Sequence, residues 1–325
     1  MKKLKVGVLG LGSIFHRVMA DFKNAENCEL YAVAARDLDR AKAEAARYGA
    51  AKAYGSYEEM LNDPEVELVY IATPHRFHKE HTIMSLNHGK HVLCEKPLAM
   101  NAAEAAEMVA VAREKGLFLM EAMWTRFLPV MRSFMERKDA GEFGKILHIT
   151  GDFGYAAYPD GYDPKSRIFD PALGGGALMD VGGYVLYVGD MMLGDEIQSR
   201  QCSALYAPTG VDKRTVMQLQ YAGGATAQYM VATDVESLSR MTVYTEKAVV
   251  EFPHFWGGNE MIVNGSSVLF EEEHEGHHHE FNYIAEDIRA GRTESAIMPL
   301  DESLQLLHLM DDIRADIGVR YPTDR

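Results

Sequence analysis

Three side chains in this sequence have the types needed to move a proton at a carbon–oxygen bond: Lys96, Asp180 and Tyr184. Lys96 lies in Cys94-Glu95-Lys96-Pro97, where a short apolar run ends, and ligands of open α/β sheets bind at such carboxyl ends. Pro97 restricts the backbone of Lys96 and can fix its direction, through a cis bond among other ways. Asp180 and Tyr184 are four apart in GGGALMDVGGY (174–184), a spacing that places them on one face of a helix. The glycines at its start permit close approach of another backbone or a ligand. Gly182 and Gly183 each cost a helix about 1 kcal/mol relative to alanine, so their presence points to a packing or functional reason. A tyrosine near a lysine ammonium ionises more readily, which suits a proton donor or acceptor for a carbonyl/alcohol pair.

Oxidation at such a carbon also requires a positioned hydride carrier. Gly10-Leu11-Gly12-Ser13-Ile14-Phe15 follows a predicted strand, Lys5–Gly10, and opens a helix running to about Asp21. The first glycine allows the tight turn. The second lets the backbone approach a pyrophosphate, which then rests on the helix N-terminus. Phe15 stands where the dinucleotide fingerprint has a small residue, so looser helix–strand packing is expected there. The second predicted strand, Glu29–Ala35, ends in Arg36-Asp37, with Arg40 nearby. A guanidinium at that point can pair with a 2′-phosphate and lie over an adenine, which favours NADP. Asp37, one step further, could reach a ribose hydroxyl instead, so NAD stays open.

The elements that must position these groups follow from the apolar pattern. Over the first ~120 residues, short buried runs (also Leu68–Ala72, His91–Cys94 and Leu117–Glu121) alternate with amphipathic segments. Ser56 with Glu59, and Asn101 with Glu104, have the spacing of helix N-terminal caps. After Trp124 the texture changes. Strands are expected at Ile146–Phe153, Gln198–Tyr206, Thr215–Tyr221, Thr226–Val231, Arg240–Thr245 and Ala248–Phe252. Their alternation suggests a mostly antiparallel sheet. A polar loop spans Gly154–Pro171, and helices near His279–Ala290 and Asp301–Ile317 follow. The expected class is α/β: a Rossmann dinucleotide domain at 1–123 and an α+β domain at 124–325 for substrate and oligomerisation.

With 33 basic and 48 acidic side chains the formal net charge is −15, which argues against nucleic acid or an anionic membrane as partner. No stretch approaches the ~20 apolar residues of a membrane span. Three cysteines make no complete disulfide set, and cytoplasmic residence is the expectation.

Thr73-Pro74-His75 with His78, Gly89-Lys90-His91-Val92-Leu93-Cys94-Glu95-Lys96-Pro97 and the 174–184 run together resemble the Gfo/Idh/MocA oxidoreductases, over nearly the whole chain up to Tyr321-Pro322. Met120–Phe127 (MEAMWTRF) is similar to a branch acting on dihydrodiols and sugars. The resemblance implies a cofactor surface of Gly10, Gly12, Ser13, Ile14, Arg36, Thr73, Pro74, His78, Glu95 and Lys96. It implies that Lys96 assists the acid/base, that Tyr184 is that acid/base, and that Asp180 positions substrate. Trp124, Arg126 and Phe153 are implied pocket residues. It also implies an open-faced second sheet that pairs between subunits, hence a dimer or tetramer. The activity implied is NADP-dependent interconversion of a secondary hydroxyl and a ketone or lactone on a cyclic polyol, a sugar or a trans-dihydrodiol. The alternative is a non-catalytic, dinucleotide-sensing regulator on the same scaffold, which would not need Lys96, Asp180 and Tyr184 together.

Other signals carry less. His75, His78 and His81 spread over more than one helical face without a complementary ligand, so no metal site is expected. His274 and His277–His279 lie among glutamates and read as a solvated segment. Cys94, beside Val92 and Leu93, reads as a buried strand cysteine rather than a nucleophile.

Overall fold

The computed structural model describes residues 2–157, 162–194, 196–272 and 275–324. Part of the polar loop expected at Gly154–Pro171, and His274, lie outside the described residues.

The apolar runs of the first part become a parallel sheet. Its strands are β1 (Leu4–Leu9), β2 (Cys28–Ala34), β3 (Lys52–Tyr54), β4 (Leu68–Ile71), β5 (His91–Glu95) and β6 (Leu119–Ala122), in the order β3-β2-β1-β4-β5-β6. The connecting helices are α1 (Ser13–Phe22), α2 (Leu38–Tyr48), α3 (Tyr57–Leu61), α4 (His78–Asn87) and α5 (Ala102–Lys115). The Ser56 hydroxyl accepts the Glu59 N–H at 3.2 Å and the Asn101 side chain accepts that of Glu104 at 2.9 Å, so both expected caps form. The strand order reverses at β1, which opens a crevice beyond the carboxyl ends of β1 and β4. Phe15 fills space instead of loosening the packing. Its ring is fully buried and meets Tyr48 edge-on at 5.3 Å.

The second part contains α6 (Pro129–Asp139), β7 (Ile146–Gly154), α7 (Gly183–Leu193), β8 (Ile197–Tyr206), β9 (Asp212–Tyr221), β10 (Thr226–Ala232), β11 (Met241–Thr245), β12 (Val249–Phe252), β13 (Glu260–Val263) and β14 (Ser266–Leu269). These strands form a second sheet in the order β14-β13-β12-β11-β7-β10-β9-β8. Among the described residues β7 and β10 are parallel and the other neighbours antiparallel. One face is buried through Met217, Leu219, Tyr229 and Val243, whereas Val216, Gln218, Gln228 and Tyr244 point to the open side. α7 is buried all round, as its apolar sequence requires.

Two helices close the chain, α8 (His277–Arg289) and α9 (Leu300–Asp316). The compact units are not divided by one cut at residue 123. One consists of Met1–Trp124 with Gly276–Leu307, the other of Thr125–Glu275 with His308–Arg325. The reason lies in α8, whose Phe281 ring packs edge-on against Phe22 at 4.9 Å and Tyr70 at 5.6 Å. Nor is its start a solvated segment. His277 is buried, its ring centred 4.1 Å from that of Trp124 and tilted 32° to it, and the amides of Gly276 and His278 both donate to the Asp21 carboxylate. Asp21, on α1, thereby caps a helix 255 residues away in sequence.

Candidate active site

In the first unit the expected cofactor residues collect at the carboxyl ends of neighbouring strands. Gly10 and Gly12 follow β1, Arg36 follows β2, Thr73 and Pro74 follow β4, and Lys96 follows β5. Gly10 has φ +93°, and a Cβ there would strike the Ala72 carbonyl and the Thr73 methyl, both at 2.8 Å. Only glycine fits. Gly12 is the opposite case, since a Cβ would meet nothing within 4 Å. It opens α1 with no side-chain cap, so the first amides of that helix remain for an anion, and Ser13 beside them is exposed while Ile14 is half-buried. These features fit a dinucleotide pyrophosphate.

At the adenosine end, Asp37 is committed to structure. Its Oδ1 accepts the amides of Asp39 at 2.9 Å and Arg40 at 3.3 Å and so caps α2. The Arg40 guanidinium donates to the Leu11 carbonyl inside the glycine turn. Arg36 is exposed, and Tyr57 lies within electrostatic reach of both arginines. Burial pushes the Tyr57 phenol up and the two guanidinium charges oppose that push.

Lys96 precedes a cis proline, Lys96–Pro97. Three supports surround this turn. The Lys96 amide donates to Glu95 Oε2 at 3.2 Å, and the buried Tyr70 phenol donates to Glu95 Oε1 at 2.6 Å. His78 bridges backbones: its Nδ1 lies 2.9 Å from the Pro97 carbonyl oxygen and its Nε2 2.8 Å from that of Thr73. Burial outweighs these two acceptors and lowers the His78 pKa to about 4, so at neutral pH the ring is uncharged and donates to one of them. The Leu98 amide donates to Glu121 Oε1 at 2.9 Å, which fixes the far side of the proline. Thr73 Oγ1 and His81 Nδ1 share a further hydrogen bond of 3.0 Å. The side chain of Cys94 is fully buried, and burial raises its thiol pKa well above the ordinary value.

In the second unit, Asp180 stands on a π-helical turn, Leu178–Gly182, that runs into α7 and Tyr184. Such turns recur at functional sites because they redirect side chains within a helix. Gly176, just before the turn, has φ +120°, and a Cβ there would collide with Asp212 Oδ1. Asp212 Oδ2 accepts the Leu178 amide at 2.8 Å and thus steadies the start of the turn. The Tyr321 hydroxyl donates to the Gly175 carbonyl.

Asp180 accepts side-chain hydrogen bonds from Tyr155 and Arg167. The Tyr155 phenol donates to Oδ2, and Arg167 Nη1 donates to Oδ1 at 2.7 Å. Burial raises the Tyr155 pKa most, and the Asp180 charge adds to it, so the phenol stays protonated. Beside them Phe153 and Trp256 stack at 5.1 Å with planes 8° apart, and the Tyr184 ring meets Phe153 at 5.2 Å and Trp256 at 6.2 Å. The arrangement offers an aromatic wall, a phenol and a carboxylate, which suits a flat or ring-shaped substrate bearing hydroxyl groups. Arg126 is buried in this unit, whereas Trp124 belongs to the first unit, packed against His277. Phe153, Asp180 and Tyr184 were expected from sequence; Tyr155, Arg167 and Trp256 were not. Arg167 and Tyr155 fall in or beside the polar loop, where no periodicity marks them.

Comparison with known proteins places both units. Residues 4–123 match a model described as the oxidoreductase family with an NAD-binding Rossmann fold, and residues 131–251 match the GFO/IDH/MocA C-terminal domain. The chain is 35% identical to trans-1,2-dihydrobenzene-1,2-diol dehydrogenase of Mus musculus and 35% identical to that of Homo sapiens, each time over 99% of both chains. Among solved structures it is similar to aldose-aldose oxidoreductase from Caulobacter crescentus complexed with glycerol, with a TM-score of 0.86, 26% identity and 98% of each chain covered. No helix among the described residues is long and apolar enough to cross a membrane.

Proposed function

From the fact that this chain belongs to the Gfo/Idh/MocA oxidoreductase family, we propose that it is an NADP-dependent dehydrogenase interconverting a secondary hydroxyl and a ketone or lactone on a cyclic polyol. The coarser statement, an NAD(P)-dependent dehydrogenase acting on CH–OH groups, follows from the family and its relatives. The substrate class, a sugar or a trans-dihydrodiol, takes its support from those relatives and from the aromatic wall beside Asp180.

The observation that carries the reading is Lys96 at the carboxyl end of β5, its backbone fixed by Glu95 and the proline turn. Bound nicotinamide supplies the hydride acceptor or donor. Gly10, Gly12 and the α1 amides of Ser13 and Ile14 receive the pyrophosphate, Thr73 and Pro74 flank the crevice, and Arg36 pairs with the 2′-phosphate. Tyr184 takes the proton of the reacting hydroxyl, or returns it, and the Lys96 ammonium eases ionisation of the phenol. Asp180 accepts a hydrogen bond from a neighbouring hydroxyl. Phe153, Trp124 and Arg126 shape the pocket. His78 and Glu95 act by holding the nicotinamide side of the crevice in place.

The open face of the second sheet carries exposed Val216, Tyr244 and Leu205 among glutamines, and we infer that it pairs with a second copy. Residence in the cytoplasm completes the proposal. The test is a panel of cyclic polyols offered with NADP and with NAD, followed through the absorbance of reduced nicotinamide. Turnover of at least one member, faster with NADP, is expected; no turnover with either nucleotide overturns the reading.

A further inference from the structure

We propose that Tyr57 is a specificity residue for NADP, donating its phenolic hydrogen to the 2′-phosphate that Arg36 pairs with. The inference rests on the reading above, in which the nucleotide carries that phosphate.

The chain around Tyr57 ties it to two neighbouring loops of the first unit. Tyr54 ends β3, and its carbonyl accepts the amide of Ala35, the residue before Arg36, at 3.2 Å. Gly55 follows, and a Cβ there would lie 3.3 Å from that of Leu38. The turn into α3 therefore runs against the segment that bears Arg36. Ser56 caps α3 by accepting the Glu59 amide, which fixes the start of the helix and with it Tyr57, its first residue. On the other side, the Tyr57 ring meets the His81 ring edge-on at 4.9 Å. His81 is itself held, by the 3.0 Å hydrogen bond with Thr73 Oγ1 and by Phe77, stacked at 5.7 Å with planes 19° apart. Tyr57 thus stands between the loop after β2 and the loop after β4, at the carboxyl ends of the strands.

Two polar groups meet there with nothing to bond. Among the described residues the Tyr57 hydroxyl makes no hydrogen bond. Arg36 is exposed and, in a chain of net charge −15, pairs with no carboxylate among the described residues. Their neighbours are spoken for, since Arg40 donates to the Leu11 carbonyl and Asp37 accepts the α2 amides. The positive charges of Arg36 and Arg40 both reach the phenol, and burial still leaves its pKa raised. It keeps its proton and can serve an anion as donor.

A phosphate monoester presents three strong acceptor oxygens. One guanidinium takes two of them in bidentate fashion and leaves the third. A neutral O–H beside that cation completes the set. The group at the same place in NAD is an uncharged ribose hydroxyl, and a hydrogen bond to it is roughly half as strong. The phenol therefore separates the two nucleotides instead of tightening both alike.

Isothermal titration calorimetry of the native protein and of Tyr57→Phe, with NADP, NAD and adenosine 2′-phosphate, tests the assignment. The variant keeps the ring against His81 and deletes only the hydroxyl. NADP and adenosine 2′-phosphate should each bind about tenfold more weakly to it, the usual worth of a hydrogen bond to a charged group. NAD should bind as tightly as to the native protein, which also shows that the variant is folded. In turnover, KM for NADP should rise while kcat at saturation stays native. Unchanged NADP affinity, or an equal loss for NAD, overturns the assignment, and a native preference for NADP then leaves the reading above standing. A native protein that binds NADP no better than NAD overturns that reading, and the assignment falls with it.

Discussion

The Tyr70 phenol donates to Glu95 Oε1 at 2.6 Å while Oε2 of the same carboxylate receives the Lys96 amide at 3.2 Å. A buried side chain of β4 thus reaches the backbone of Lys96 through one intermediary. Tyr70→Phe keeps the ring against Phe281 and deletes only the donor. A hydrogen bond to a charged group contributes about 1.5–3 kcal/mol, and a barrier rise at the low end of that range is about tenfold in rate. Turnover should fall by about that factor with nucleotide affinity nearly native, as steady-state kinetics and titration would report. An equal loss in both would mark a general loosening of the unit.

Lys96→Met and Tyr184→Phe should each lower turnover by roughly a hundredfold to ten-thousandfold, the usual range for a positioned acid/base. Dinucleotide binding should persist in both variants. Native turnover in both would remove Lys96 and Tyr184 from the chemistry.

Arg36→Ala should weaken NADP by about ten- to a hundredfold, the worth of charge-assisted hydrogen bonds, and leave NAD little changed. Asp37 is occupied in capping α2, so its substitution should act through stability rather than nucleotide choice. Equal loss of both nucleotides in Arg36→Ala would mean that this arginine does not read the 2′-phosphate.

Asp21 links stability to acid. Burial alone would raise its pKa, but the hydrogen bonds from His278 and Asn24 and the His278 charge outweigh it and hold the carboxyl well below the usual carboxylate range. A depressed folded-state pKa contributes stability in full above the unfolded value of about 3.9 and loses it as pH falls through the folded value. Native stability should thus decline below about pH 4, and Asp21→Asn should flatten that decline while costing about 1–3 kcal/mol at neutral pH. Urea unfolding across the acid range checks both. Parallel native and variant curves there would exclude the linkage.

Gly176→Ala would require a side chain at φ +120° and on top of Asp212 Oδ1. Strain of this kind costs about 1–3 kcal/mol before the collision is counted. Thermal melting should show the loss, and turnover should fall with it, because the π-turn bearing Asp180 starts two residues later.

Much of the dinucleotide unit was legible because its chemistry is local. A strand, a glycine turn and a helix are consecutive, and the caps at Ser56 and Asn101 are three-residue signals. The Asp180 clamp was illegible for the contrary reason: Arg167 and Tyr155 are 13 and 25 residues away, joined to it by a fold and not by a spacing. The β13–β14 hairpin did carry a signal that went unread. Asn264-Gly265 supplies the two positive φ values, 50° and 80°, that a tight hairpin turn demands. The start of α8 misled because histidines and glutamates look solvated, although Phe281, Ile284 and Ala285 mark a buried face directly after them.

The division of the chain also sets an order of events in the cell. The dinucleotide unit is built from residues up to Trp124 and from Gly276–Leu307, so its last helix leaves the ribosome only after the whole intervening segment has been made. Until then Phe22 and Tyr70 lack the Phe281 ring, and Cys28 lacks the Phe281 carbonyl that its thiol bonds at 3.4 Å. A nascent chain stalled within the second sheet would expose that seam, and a chaperone that recognises apolar surface would find its target there.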